Sequence, residues 1–299
     1  MHFLILILTS TPLAAAVTIP SGFSRTLFED DFSLQTPGSL PSPQKWSLSL
    51  GTSYPGGPAN WGTNEVQTYT DTNVVITPAR TLRITPQRTD WGSWTSSRIE
   101  TLPRWDFACP AGGKLRVETS LRFGNAPQES QMGIWPAFWS MGSDFRGNYT
   151  QWPAAGEIDI AESINGVSKL YVALHCGWAP GGPCDEYNGL KMTAPLNRGQ
   201  FYTFAVEIDR TNAVGGWRGE SLTWFVDGRV LFRLDGGAFE EWVWTAVTRR
   251  PKFLILNVAV GGDFADNAEN PGRVKTPTAE TRGGEGAGLE VRYIAVFST

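Results

Sequence analysis

Residues 156–163 read Gly156-Glu157-Ile158-Asp159-Ile160-Ala161-Glu162-Ser163. Acidic Glu157 and Asp159 alternate with apolar Ile158 and Ile160, so in an extended chain the acids share one face and the isoleucines the other. Glu162 breaks this alternation. It stands five residues after Glu157, an odd offset, and a regular strand would turn it into the apolar side, where an unpaired carboxyl is very costly. A β-bulge near Ile160-Ala161 restores parity and returns Glu162 to the acidic face. The stretch is therefore expected to be a half-buried strand with one built-in irregularity.

Outward from it, short β-branched and aromatic runs alternate with Gly, Pro, Asn and Asp, the spacing of an all-β sandwich or barrel. Thr81–Thr85 and Lys114–Glu118 have one apolar face each. Thr223–Phe232 carries Asp227-Gly228 between two strand-like runs, a strong hairpin signal. Phe253–Val260 is continuously apolar, as a strand buried on both faces is. Ala238–Val247 is the one helix candidate. The Gly/Pro-rich stretches 51–58 and 177–183 read as loops around a cleft, and residues 17–299 as a single domain.

Met1–Ala16 has an apolar core, Phe3–Leu8, and ends in Ala14-Ala15-Ala16, the pattern of a cleaved secretory signal and too short to span a bilayer. A secreted, extracellular and monomeric product with no membrane partner is expected. Cys176 and Cys184 flank the Gly/Pro-rich loop and are the expected disulfide, leaving Cys109 as a buried small apolar residue. Asn148-Tyr149-Thr150 is a glycosylation sequon. The 299 residues contain 25 Lys+Arg and 29 Asp+Glu, a net charge of −4. Without basic clusters there is no electrostatic footprint for nucleic acid. Charged residues at 18% and an aromatic content of 12% exclude disorder. The two histidines are His2 and His175, so once the leader is removed no multi-histidine metal site can form.

With the bulge, Glu157 and Glu162 lie roughly 13 Å apart at Cα, with Asp159 between them. Inward-leaning side chains can then approach the carboxyl separation of about 5–5.5 Å that retaining glycoside hydrolysis uses. Three clustered carboxylates cannot all ionise cheaply, so at least one pKa should rise, as a general acid requires. A solvated strand face or a metal site would use the same residues, but a hard cation such as Ca²⁺ wants six to eight oxygens and no loop of alternating Asp/Asn supplies them. Gly133–Met141, with Trp135 and Trp139, stands just upstream, and Trp61, Trp91, Trp94, Trp105, Trp152 and Trp178 lie elsewhere. Such rings either pack the core or stack on sugar C–H faces. Asn64, Glu65, Gln67 and Tyr69 are expected to share one strand face, as groove-lining residues do.

These motifs together resemble glycoside hydrolase family 16, specifically its laminarinase-like endo-β-1,3-glucanases of fungal type. The resemblance is carried by Glu157–Glu162 in its bulged form, Trp135–Trp139, Asn64–Thr70, Ser97–Thr101 and Val258–Gly262. It implies a two-sheet antiparallel jelly-roll sandwich with an open concave cleft. Glu157 would be the nucleophile, Asp159 its electrostatic partner and Glu162 the acid/base, acting on β-1,3-glucan or mixed β-1,3/1,4-glucan. Trp135 and Trp139 would lie near the catalytic subsites, and Asn64, Gln67, Arg98, His175 and Trp178 would contact sugar. Many members hold a structural Ca²⁺ through an acid in the last strand. Here Arg292 stands in that place, so no metal or other cofactor is expected. A transglycosylase and a non-catalytic β-glucan-binding protein are the competing functions.

Overall fold

Lys252–Val260 is buried at all its positions. A run buried on both faces is stable only inside a sheet covered on both sides, and this one pairs antiparallel with Ile134–Gly142 on one flank and Arg98–Thr101 on the other. The computed structural model describes residues 17–299 except residue 213, so the expected leader, 1–16, lies outside the described residues. From its centre the sheet extends through Glu157–Glu162, Lys169–His175 and Leu190–Pro195 in one direction and to Trp46–Leu48 in the other. Its seven strands carry the open cleft.

A second antiparallel sheet lies behind it, in the order Arg229–Asp235, Ser221–Val226, Tyr202–Asp209, Lys114–Phe123, Leu289–Ser298, Leu82–Ile84 and Val74–Ile76. Arg25–Asp30 also pairs with Leu289–Ser298. Phe138, Ile158, Ile160, Leu256 and Val258 from the cleft sheet meet Val117, Leu121, Val206, Trp224 and Val296 from the other in one core. The result is the expected two-sheet jelly-roll sandwich. A small third sheet, Gln67–Tyr69, Gln87–Arg88 and Trp94–Ser96, contains one parallel pair.

Local chemistry accounts for the elements. Val226 pairs with Arg229 across Asp227 and Gly228, whose φ values of 47° and 75° are the two positive angles that a tight hairpin turn demands. The expected helix is Glu241–Thr248. Lys114–Glu118 is only the first half of a ten-residue strand ending at Phe123. Cys176 and Cys184 are bonded, and Cys109 is free and buried. Burial pushes its thiol up to about 12. Asn148 is exposed, directly before the short 3-10 turn Tyr149–Gln151. Arg292 is the extra residue of a bulge between Val291 and Tyr293, and its guanidinium lies 3.8 Å from the Phe201 ring centroid. A stacked cation does not fit a calcium ligand at that position.

The acidic strand carries its own bulge. Trp139 pairs with Asp159 but Phe138 pairs with Ala161, so Ile160 is the extra residue. On the other flank Asp159 faces Ala173 and Glu162 faces Tyr171, three residues against two. Ile158, Ile160 and Ala161 all enter the core. From the opposite sheet, fully buried Trp224 donates its Nε1–H to the Asp159 carbonyl at 2.8 Å, tying the two layers together at the bulge. Trp224→Phe should leave this carbonyl without its indole donor and cost about 1–3 kcal/mol. Urea unfolding should show a lowered midpoint with an unchanged m-value.

Candidate active site

The register sets the acids in a row on the cleft floor. Glu157, Asp159 and Glu162 stand beside Met141, Trp139 and Ala137 on one neighbouring strand and beside His175, Ala173 and Tyr171 on the other. Each acid has its own N–H partner. Trp152 Nε1 donates to Glu157 Oε2 at 3.1 Å, and Trp135 Nε1 donates to Glu162 Oε1 at 2.7 Å. His175 Nε2 lies 3.4 Å from Asp159 Oδ2, while its Nδ1 lies 2.7 Å from Glu186 Oε2. An indole can donate but never accept, so neither tryptophan competes for a carboxyl proton.

Burial, and then the neighbouring charge of Asp159, raises Glu157 to about 8. The same two causes hold Glu162 well above the usual carboxylate range. For His175, burial opposes the charged form, but the hydrogen bonds to Asp159 and Glu186 outweigh it and hold the ring cationic well above its ordinary range. Burial thus favours the protonated form of both glutamic acids, and His175 pairs with the aspartate between them. Glu157, Asp159 and His175 bring donor-type atoms within 4.8 Å of one another. Both ring nitrogens of His175 already face carboxylates, so the trio forms an ion-pair chain and not an open metal site.

Behind the acids lies a wall of connected polar groups. Trp139 Nε1 donates to Asn257 Oδ1 at 2.8 Å, Asn257 Nδ2 to the Tyr69 hydroxyl at 3.0 Å, and that hydroxyl to Glu65 Oε2 at 2.9 Å. Gln67 is 0% exposed, with its amide bonded to Glu65 and to the Val260 N–H. Arg98, 5% exposed, packs against Trp61, Trp139 and Tyr54 at 4.7, 4.8 and 5.2 Å from their centroids. Arg98 packs against Trp139 directly, and Gln67 is linked to it through Glu65, Tyr69 and Asn257. Asn64 departs from the expected shared face with Glu65, Gln67 and Tyr69. A φ of 60° swings it outward, where it is exposed and donates to Asp263 at 3.0 Å. Trp178 is half-exposed on the disulfide loop, stacked on Trp242 at 6.1 Å. Trp91 is fully outside and Trp94 is in the core. Glu186 and Asn257 were not legible as site residues. Each sits in a different element from the acids, and no local spacing links them.

Residues 122–200 match the family model described as the XgeA-like, catalytic GH16 domain. Among solved structures, the endo-1,3-β-glucanase from Streptomyces sioyaensis superposes with a TM-score of 0.86 at 40% identity, covering 95% of this chain and 99% of that one. Among curated relatives, the clotting factor G alpha subunit of Tachypleus tridentatus is 29% identical over 236 residues, covering 75% of this chain and 30% of that protein. Glucan endo-1,3-beta-glucosidase A1 of Niallia circulans is 25% identical over 289 residues, covering 91% of this chain and 37% of that protein. The chain thus spans about a third of the length of these two curated relatives. With the bulged acidic strand, the sandwich and 40% identity along nearly the whole of a solved relative, the chain belongs to glycoside hydrolase family 16.

Proposed function

We propose that the protein is a secreted, retaining endo-glycosidase, a single catalytic domain over residues 17–299, that hydrolyses β-1,3-glucan and mixed β-1,3/1,4-glucan by double displacement. The observation that carries this reading is the row of three carboxyls on one floor, with burial raising the proton affinity of both glutamic acids and His175 3.4 Å from the aspartate between them. The name of the Streptomyces sioyaensis relative, an endo-1,3-β-glucanase, supports the substrate class. Secretion rests on the leader pattern in residues 1–16. Among the described residues no helix is long and apolar enough to cross a membrane.

In this mechanism Glu157, deprotonated, attacks the anomeric carbon while Glu162 protonates the leaving oxygen; Glu162, now a base, then activates the water that releases the sugar. The charge on Asp159 raises the affinity of Glu162 for its proton. Trp135 keeps its hydrogen bond to Glu162 in either protonation state, so the acid/base does not have to reorient between steps. Trp135, Trp139, Trp178, Arg98, His175 and Asn64 would meet the sugar chain. Gln67 would act through the Glu65–Tyr69–Asn257 chain that ends on Trp139.

A product time course on linear β-1,3-glucan and on mixed-linkage glucan should give progressively shorter fragments with the native chain and none with Glu157→Gln. Products longer than a supplied oligosaccharide would instead make it a transglycosylase, and binding without turnover a glucan-binding protein. Glu162→Gln should lose roughly 10²–10⁴-fold on glucan but far less on an aryl glycoside, whose leaving group departs without protonation. Both glutamic acids, and His175, bind protons more tightly folded than unfolded. The stability they contribute is complete below the unfolded carboxyl pKa of about 4.3 and is lost as pH rises through about 8 for Glu157. The melting temperature should therefore fall between pH 5 and pH 8, and less steeply in Glu157→Gln.

A further inference from the structure

The loop that follows His175 does more than cross the end of the sheet. It is closed by the Cys176–Cys184 bond, and the next turn brings back Glu186, whose side chain has no solvent exposure. One Glu186 oxygen accepts the Cys176 backbone N–H at 2.8 Å, and the other faces His175 Nδ1 at 2.7 Å. The backbone of Glu186 is paired with that of Gly181 inside the same loop. Tyr187, the next residue, stacks on Trp152 at 6.0 Å with rings 15° apart, and Trp152 is the indole that donates to Glu157. On its far side the His175 ring rests on Gly189, φ +72°, where an added Cβ would come within 2.8 Å of Cε1. The ring is thus held between Glu186, Asp159, Trp152 and Gly189, with part of it still open to the cleft.

We propose that the disulfide-closed loop is part of the active site, with Glu186 as a positioning residue that holds His175 against Asp159 and Tyr187 as the support of Trp152. The proposal rests on the roles assigned above to Glu157, Asp159 and Glu162. Its logic is electrostatic and geometric. A neutral histidine has one N–H, so it can donate to only one of two carboxylates; facing both at once requires the imidazolium. Among the described residues, the charged groups that bear on His175 are Glu157 and Asp159 from the acidic strand and Glu186 from the loop. Glu186 thereby keeps a cation beside Asp159, and that cation offsets the acidic charge at which Glu157 must ionise to attack. The disulfide fixes the Cys176 amide and the loop that carries Glu186, so this alignment depends on a covalent bond outside the cleft.

Histidine NMR tests this directly, because the chain has only His2 and His175, and His2 lies in the leader. In the native protein the His175 ring should keep both nitrogens protonated through pH 8. In Glu186→Gln, which preserves shape and can still accept the Cys176 amide, the midpoint should fall by a unit or more. The kcat on linear β-1,3-glucan should drop about tenfold or more, with KM nearly unchanged and the pH profile displaced. Cys176→Ala/Cys184→Ala should move the His175 midpoint in the same direction. A native His175 midpoint at or below the ordinary value of about 6.5 would overturn the proposal, whatever the fate of the variants. So would identical midpoints and pH profiles in native and Glu186→Gln proteins. The imidazole signals report on positioning whether or not glucan is cleaved, so failure of the hydrolase reading would be seen separately, as absence of turnover by the native chain.

Discussion

One inserted residue governs the molecule. Strand parity is strict: every position faces either the core or the cleft, and an odd offset cannot be on the same side twice. The bulge at Ile160 breaks that count once, on a strand paired on both flanks, and every residue after it changes face. Ile158, Ile160 and Ala161 remain in the core while Glu157, Asp159 and Glu162 all reach the floor. Bulges leave irregular backbone, and irregular backbone inside a core must find partners. Here the partner is an indole from the opposite sheet, Trp224, so the layer that contributes no acid to the cleft still holds the acidic strand in shape.

The acids are then governed by their roof. Tryptophans supply two things at once at Glu157 and Glu162: an N–H that fixes the carboxyl, and apolar surface that excludes water and makes the charged form expensive. The second effect is the larger, since both acids keep their protons above the ordinary range despite the donor. Asp159, between them, has a cationic histidine in place of an indole. One row of three chemically similar groups is thereby differentiated, two glutamic acids beside indoles and an aspartate beside an imidazole, by the identity of the ring beside each.

Much of this was readable in one dimension, because it depends on neighbours in sequence. The hairpin at Asp227-Gly228 is decided by the left-handed tolerance of those two residues, and the buried strand 252–260 by apolar residues on both of its faces. The bulge was legible because an acid in a core is so costly that the chain must avoid it. Asn64 misled because Glu65, Gln67 and Tyr69 do alternate, whereas Asn64 stands at an odd offset from all three and has a left-handed backbone of its own. Gln67 and Arg98 have the chemistry of sugar contacts, and burial joins Gln67 to Glu65 and packs Arg98 against Trp139, an arrangement invisible in spacing. Glu186 is brought to His175 by a loop whose path follows from a covalent bond and glycine angles, and periodicity has no bearing on such a path.

The unpaired Cys109 gives the fold a say in its own cross-linking. Three thiols permit three single bridges, and exchange among them proceeds only through a thiolate. Within the finished sandwich, Cys109 Sγ lies among the carbonyls of Pro110, Gly113 and Ile208, and burial makes its thiolate almost inaccessible. The native bridge therefore sits in a molecule whose only potential attacker has been disarmed. Scrambling is confined to chains whose core has not yet closed, and a chain that buries Cys109 first has just one pair of sulfurs left to join.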